Sequence, residues 1–387
     1  MSATAENKQD QFRKIFGRKP RLTQISILNP VYHTRILAKW AYSLVDLGFE
    51  VGVIGQGEGS RKFEHQVELI PQGVFGRLGR KRWLFPWSMA KLALKEEADV
   101  YLIHAPELLI TAAKLKKRRS CRVLYDVHEN YQANLRQGAH WPRGIRLGLG
   151  WIFGLWERYM VGRWVDGVIL AEAVYASQLR FPKVPTLVLE NKALSRPAPP
   201  YPHPRPYLIY TGTLAREWGI FEAIELWEEW HALQPIDLII AGHTQQAVLL
   251  RELQERIKRT AHPTRIHLMG GNTYLPHAQI LSLIAGCVAG LGLYQDLPQL
   301  RGKIPTKFYE FMAAGRPLIF SALPEWNLLN QATPFGFAKP SEALSLAWIQ
   351  GLGSWQAPNL APEAYDWKSQ EARLGDWLQK ILTQPTE

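Results

Sequence analysis

The sequence predicts an α/β protein of two units, each with strands and helices alternating around a parallel sheet. Three observations carry this. At 387 residues the chain is long for one core, given roughly 100–200 residues per domain. Strand-like and helix-like stretches alternate through both halves, the pattern of parallel βαβ units. Between the halves, residues 196–206 (RPAPPYPHPRP) hold 6 prolines in 11 positions, too many for helix or central strand, so a stiff connector is expected.

In order, residues 1–20 are polar and lack an apolar core segment, which predicts a loosely attached tail and no secretory signal. Leu22 to Leu28 reads as a strand, Thr34 to Leu47 as an amphipathic helix capped by Gly48, and Glu50 to Ile54 as a second strand. Gly55 and Gly57 make no G-x-G-x-x-G, which argues against a dinucleotide fingerprint here. A basic, aromatic stretch follows at Arg77, Arg80, Lys81, Arg82, Trp83, Phe85 and Trp87. Val100 to Ile103 is a buried strand, and the next helix ends in Lys114, Lys116, Lys117, Arg118 and Arg119. Cations in a last turn complement the helix dipole, so this run reads either as a solvated helix end or as a binding patch. Arg122 to Tyr125 is another strand. His104 and His128 each fall just beyond a strand, where open α/β sheets bind ligands. Residues 141–164 interleave Trp151, Phe153, Trp156 and Trp164 with Arg143, Arg146, Arg158 and Arg163. Two readings fit: a helix with one core face, or an interfacial helix with arginines on lipid phosphates. Val168 to Leu170, a helix from Glu172, and Thr186 to Leu189 complete a first unit spanning 21–195.

The second unit, 207–365, opens with the strand Tyr207 to Tyr210 and a glycine turn through Gly212, Thr213, Arg216 and Gly219. Such a turn lets backbone approach a phosphate, with Arg216 in reach of an anion. Strands at Leu238 to Ala241, Ile266 to Met269 and Val288 to Leu293 alternate with helices near 247–259 and 277–285, and Gly242-His243 and Gly270-Gly271 end two of them. The stretch KIPTKFYEFMAAGRPLIFS, 303–321, reads as loop, helix and strand: Pro305 and Thr306 start the helix, Gly315 caps it, and Pro317 blocks its continuation. The helix start, the Thr306 hydroxyl and the Lys307 ammonium suit a phosphate. Glu310, one turn on, is placed either to accept from a ribose diol or as a solvated helix residue. Helices near 341–351 and 367–383 close the chain, the last segment being 366–387.

Composition is that of an ordinary globular protein, 47% apolar and 21% charged. The net charge of +12 is uneven, with +13 in residues 1–195 and −1 in 196–387. Excess basic charge points to nucleic acid or an anionic membrane surface. No recognisable nucleic-acid motif accompanies it, which argues against the first. Cys121 and Cys287 lie far apart in apolar surroundings, so buried thiols in a reducing compartment are expected, not a disulfide or a zinc site. The uncharged apolar run Leu147 to Trp156 is 10 residues long, against the roughly 20 needed to span a bilayer. A cytoplasmic protein, or one peripheral to a membrane, is the expectation. No Asp-x-Asp motif sits at a strand end, so no metal is expected.

The segment 303–317 resembles the donor-binding helix of family 4 glycosyltransferases: a basic residue, a Phe, then Glu-Tyr/Phe-Met-Ala-Ala-Gly-x-Pro before a strand. The likeness extends to Asp99-Val100-Tyr101-Leu102-Ile103-His104-Ala105-Pro106-Glu107-Leu108-Leu109, with Ala105 where the family usually has Asp, and to Tyr125-Asp126-Val127-His128-Glu129. The turn at Gly212 resembles the family's Tyr-x-Gly-x-Leu, but Trp218 replaces the usual basic residue before the second glycine. Many members carry Glu-x7-Glu; with Glu310 as the second, the first falls at Gly302. The resemblance implies the GT-B architecture, two Rossmann-like domains facing across a cleft, with the last helix packing back across it. It implies a nucleotide-diphosphate sugar as co-substrate and a retaining, metal-free transfer to a glycan or lipid-linked acceptor. By residue, it assigns Gly212, Thr213, Arg216, Gly242, His243, Thr306, Lys307 and Glu310 to the nucleotide sugar. Arg216 and Lys307 would stabilise the leaving diphosphate, and His104, His128 and Glu129 would hold sugar or acceptor. A degenerate member that binds the nucleotide sugar without turnover is the alternative, on the strength of Gly302, Ala105 and Trp218.

Overall fold

The computed structural model describes residues 3–74, 80–137, 142–194, 198–298 and 300–384. Arg77, the side chains of Arg80, Lys81, Arg82, Trp83 and Phe85, residues 138–141 and residues 195–197 lie outside that description. The chain divides into two compact units, Met1–Asn191 with Lys368–Glu387, and Lys192–Trp367.

The strands of the first unit are β1 (Arg21–Pro30), β2 (Glu50–Gln56), β3 (Lys62–Glu64), β4 (Val67–Pro71), β5 (Val100–Ile103), β6 (Arg122–Val127), β7 (Gly167–Leu170) and β8 (Thr186–Val188). They form one sheet in the order β3-β4-β2-β1-β5-β6-β7-β8, parallel except for β3, which pairs antiparallel with β4. The second unit holds β9 (Tyr207–Thr213), β10 (Asp237–His243), β11 (Ile266–Gly271), β12 (Ala289–Gly292), β13 (Leu318–Phe320) and β14 (Gly336–Ala338), ordered β11-β10-β9-β12-β13-β14 and all parallel. In both sheets the order grows outward from the first strand and then reverses, β1 against β5 and β9 against β12. Connections on either side of such a reversal diverge and leave a crevice at the carboxyl ends of the strands. Strands buried on both faces explain the near-continuous apolar runs of β5, β6 and β7, every residue of which is buried.

Two expectations are corrected. Ala3–Phe16 is a helix and not a loose tail: Phe12 is fully buried against Phe49, with ring centroids 4.9 Å apart, and Lys8 pairs with Asp376 of the last helix. The polar average of residues 1–20 concealed this one apolar anchor. The proline-rich stretch, expected as a stiff connector, is packed into one unit. Residues 198–206 belong to the second unit, where Tyr201 N–H donates to Ser282 O at 2.9 Å and the His203 ring lies 3.0 Å from Asp237. The helix expected from Thr34 to Leu47 is present over that span, its first part, Arg35–Ala41, being a π-helix that continues as Tyr42–Asp46.

The terminal helix Glu371–Leu382 follows the second unit in sequence and belongs to the first, with Trp377 and Ile381 pressed onto Gly167, where a Cβ would meet them at 2.7 and 2.5 Å. The hairpin β3-β4 and the edge strand β14 are short and carry no alternation long enough to read. Both cysteines are buried free thiols, pushed up to about 11 and about 12 by burial.

Glu157 gives the first unit a pH dependence. It lies buried on the helix Arg143–Trp164, accepts from Tyr125 Oη at 2.9 Å, and is raised to about 7, burial outweighing that hydrogen bond. Between the ordinary carboxylate range and pH 7 the folded chain holds a proton that the unfolded chain has lost, so stability from this group falls as pH rises across that window. Glu157→Gln is therefore expected to raise the melting temperature at pH 8, by an effect on the order of 1–3 kcal/mol, and to change it little at pH 4. A thermal melt at the two pH values measures it.

Candidate functional site

In the second unit the site is built by glycines. Gly212, Gly242 and Gly270 fall in register at the ends of β9, β10 and β11. A Cβ on Gly242 would sit 2.0 Å from Gly212 O, and one on Gly270 would sit 2.4 Å from Gly242 O. Only glycine allows these strand ends to step so closely, and the step leaves backbone, not side chain, at the rim. Gly212 itself has φ +102°, and the one atom a Cβ there would meet is Lys307 Cε, at 3.9 Å.

Lys307 arrives on the helix Thr306–Ala313, seated against β12 by two more glycines. The Phe311 ring fills the place of a Cβ on Gly290, and the Phe308 ring lies 3.0 Å from where a Cβ on Gly292 would be. This close packing carries the Lys307 side chain into the crevice between β9 and β12. Its ammonium lies 4.2 Å from the centroid of Tyr210, on β9, and 5.2 Å from that of Tyr294, just past β12. Burial lowers the amine to about 7, with Glu310 acting in the opposite sense. Among the described residues it makes no hydrogen bond, so an ammonium at a topological reversal is left to aromatic faces alone.

Glu310, one turn on, is largely buried and bonds His277 Nε2 at 2.9 Å. His243 is packed against Tyr274, with ring centroids 3.7 Å apart, and burial lowers its pKa. Thr213 borders the turn, its carbonyl accepting from Tyr210 Oη at 3.1 Å, and Thr306 is the first residue of the Lys307 helix. Arg216 stands apart from this group. Its guanidinium pairs with Glu252, stacks 4.9 Å from the Phe221 ring, and is 56% exposed. Trp218 packs toward Tyr294, filling the place where a basic residue was expected. Gly302 has φ +73°, a left-handed conformation that strains any other residue, so this backbone disfavours a carboxylate there.

In the first unit, one carboxylate organises the reversal between β1 and β5. Asp126 is fully buried at the end of β6. Arg35 donates to its two oxygens, Nε to Oδ2 at 3.0 Å and Nη2 to Oδ1 at 2.7 Å, and Trp40 Nε1 donates to Oδ2 at 2.9 Å. Burial pushes this carboxyl up, but Arg35 and the two imidazoles together hold it well below the usual range. His104 is also fully buried, and desolvation lowers it to about 4, so the ring is neutral at pH 7. Its Nε2 lies 2.9 Å from Gln24 Oε1, an oxygen by assignment because Gln24 Nε2 donates to Ile36 O at 3.1 Å. Its Nδ1 lies 3.1 Å from Asp126 Oδ2 and 3.2 Å from His128 Nε2, and that nitrogen of His128 is itself 2.7 Å from Asp126 Oδ2, so the two rings and the carboxylate form one contiguous polar cluster. His128 is 15% exposed and reaches solvent, whereas Glu129 is exposed at the rim. His104, Asp126 and His128 lie at ligand spacing for a metal. Arg35 and Trp40 already occupy the carboxylate, and a guanidinium in contact with it repels a cation.

Sequence reading named His104 and His128 and quoted Asp126 within its motif without a role; it missed Arg35, and His277, Tyr274 and Tyr294 in the second unit. An Arg at a helix start and a His at another carry no local signal; their partners lie 91 and 33 positions away.

Residues 33–192 match the family model of the glycosyl transferase 4-like domain. Across the whole chain, solved structures share the fold at low sequence identity. Sucrose-phosphate synthase from Thermosynechococcus elongatus is similar with a TM-score of 0.68 and 14% identity, covering 94% of this chain and 99% of its own. The Anabaena protein HepE, solved with UDP and glucose, is similar with a TM-score of 0.66 and 14% identity, covering 93% and 100%. An α,α-trehalose-phosphate synthase (UDP-forming) from Burkholderia vietnamiensis gives 0.57 and 9%, covering 94% and 98%. No curated protein matches the chain by sequence.

Proposed function

We propose, from a chain that has the GT-B fold and carries a glycosyl transferase 4-like domain over residues 33–192, that it transfers a sugar from a nucleotide-diphosphate sugar to a glycan or lipid-linked acceptor. One observation carries this reading: the Lys307 ammonium is buried at the β9-β12 reversal beside the open face of Gly212, with no hydrogen-bond acceptor of its own among the described residues.

In this reading the diphosphate lies over Gly212 and Thr213 against Lys307 and the start of the Thr306 helix. Glu310, oriented by His277, accepts from the ribose hydroxyls, and Tyr274 with His243 and Gly242 forms the rim for the base. The bond from the anomeric carbon to the diphosphate oxygen breaks, its electron pair leaving with the nucleoside diphosphate. Lys307 stabilises that charge, so no metal is required. The acceptor oxygen bonds to the anomeric carbon with retention, and its proton passes to the departing diphosphate oxygen. In the first unit, His128 reaches solvent from its cluster with Asp126 and His104 and is placed to orient a sugar or acceptor hydroxyl. Arg216 takes part only by leaving Glu252. We assign the activity to the cytoplasm, in synthesis of a surface polysaccharide or glycoconjugate.

A thermal-shift series with UDP, GDP, ADP and their sugars tests the donor half, since a ligand bound only to the folded state raises the melting temperature. At least one nucleoside diphosphate should stabilise the chain, and Glu310→Ala should weaken it about tenfold, the loss of one hydrogen bond to a charged group. Stabilisation by none would remove the reading. Binding without release of nucleoside diphosphate from any sugar donor would favour the degenerate alternative, for which Gly302 is the specific observation.

A further inference from the structure

The helix Arg143–Trp164 carries large apolar side chains on both faces. Inward, Trp156, Met160 and Trp164 pack against the core beside the buried Gly150, Gly154, Glu157 and Val161. Outward, Trp151 and Ile152 are each 59% exposed and Tyr159 66%, with Ile145, Leu149 and Leu155 beside them at 50%, 42% and 44%. A helix packed on a core normally turns its apolar stripe inward and its charges to water. Here the outward face carries Arg143, Arg158 and Arg163 as exposed charges and no acid, because the one acidic residue of the helix, Glu157, is buried.

The structure joins this face to a second feature that the sequence shows only as a separate run. The end of the helix Leu109–Arg118 lies beside the end of the exposed one, and Lys117, Arg118, Gly162, Arg163 and Trp164 line a single open pocket between them. Lys117 and Arg163 both lie over the Trp164 ring, at 5.3 and 4.4 Å. Lys116 and Arg119, also at its edge, are instead neutralised by Asp166 and Glu97. Among the described residues no helix is long and apolar enough to cross a bilayer.

We propose that this face of the first unit docks on an anionic phospholipid bilayer. Trp151, Ile152, Leu155 and Tyr159 enter the headgroup layer, and the Lys117, Arg118 and Arg163 pocket takes a lipid phosphate. Exposed aromatic and aliphatic side chains with flanking arginines fit an interfacial helix, and basic residues supply the attraction to anionic lipid. A protein partner or a second copy would bury the same apolar residues but gives no reason for a face with cations and no anion. The inference stands apart from the sugar-transfer reading.

The full chain is sedimented with vesicles of phosphatidylcholine alone and with phosphatidylglycerol added. Binding is expected to the anionic vesicles only and to weaken about tenfold or more in high salt. Ile152→Glu, at an exposed site that leaves folding intact by thermal melt, should abolish it, and Lys117→Glu with Arg163→Glu should do the same. Equal binding to both vesicle types, retention by Ile152→Glu, a wild-type dimer that Ile152→Glu converts to monomer without any vesicle binding, or salt-sensitive binding to RNA in place of vesicles would each overturn the proposal.

Discussion

Asp126→Ala is expected to cost the first unit about 3–5 kcal/mol, the range for removing one partner of a buried ion pair. The change leaves the Arg35 guanidinium, 3% exposed, without its carboxylate, and deprives Trp40 Nε1 and His128 Nε2 of their acceptor. Replacing both charges at once, Asp126→Leu with Arg35→Met, should recover much of that loss, because neither charge is then left stranded. Urea unfolding of the single and double variants gives the coupling directly, and a double variant no better than Asp126→Ala would show that the pair itself is not the source. The sign with pH follows from the depressed carboxyl: its contribution is present above the ordinary carboxylate range and is lost as pH falls through the folded value. Stability of the Asp126→Asn chain should therefore fall less steeply on acidification than that of the wild type.

Lys307→Met should reduce nucleoside diphosphate affinity about 100-fold, the loss of one or two charge-assisted hydrogen bonds in a buried setting. The pH dependence is the sharper test. With the free amine at about 7, the folded chain gives up this proton well before the unfolded chain does. Stability from this group therefore rises as pH rises from 7 toward the ordinary lysine value. Ligand affinity runs the other way. A diphosphate favours the ammonium, so binding above pH 7 takes up a proton and weakens by up to about tenfold per pH unit. Calorimetry in buffers of different ionisation enthalpy should show that uptake in the wild type and not in Lys307→Met. Affinity equally pH-dependent in both would remove Lys307 from the diphosphate.

The contrast between these two clusters shows where physical reading of a sequence succeeds. Thr306, Lys307 and Glu310 lie within five residues, and a 3.6-residue period places them on neighbouring faces of one helix. Their relation is local, so it was legible. The glycines were legible as turns at strand ends, because few residues other than glycine take such conformations. What they do for one another, Gly212 under Gly242 under Gly270, belongs to strand register and was not. Arg216 shows the other limit: its place beside a glycine turn suggests an anion, and the carboxylate it pairs with, Glu252, lies 36 positions on where no local pattern points to it.

By itself the sequence determined the alternation of strand and helix and the helix Thr306–Ala313 with its ends, since each is written in periodicity and turn chemistry over a few residues. Only the tertiary structure decided that Asp126 is the hub of the first unit and that His277 orients Glu310. It alone decided which apolar residues of the helix Arg143–Trp164 face the core and which face solvent. Those depend on which distant side chains share a buried volume, and burial is a property of the packed chain that no local pattern of residues contains.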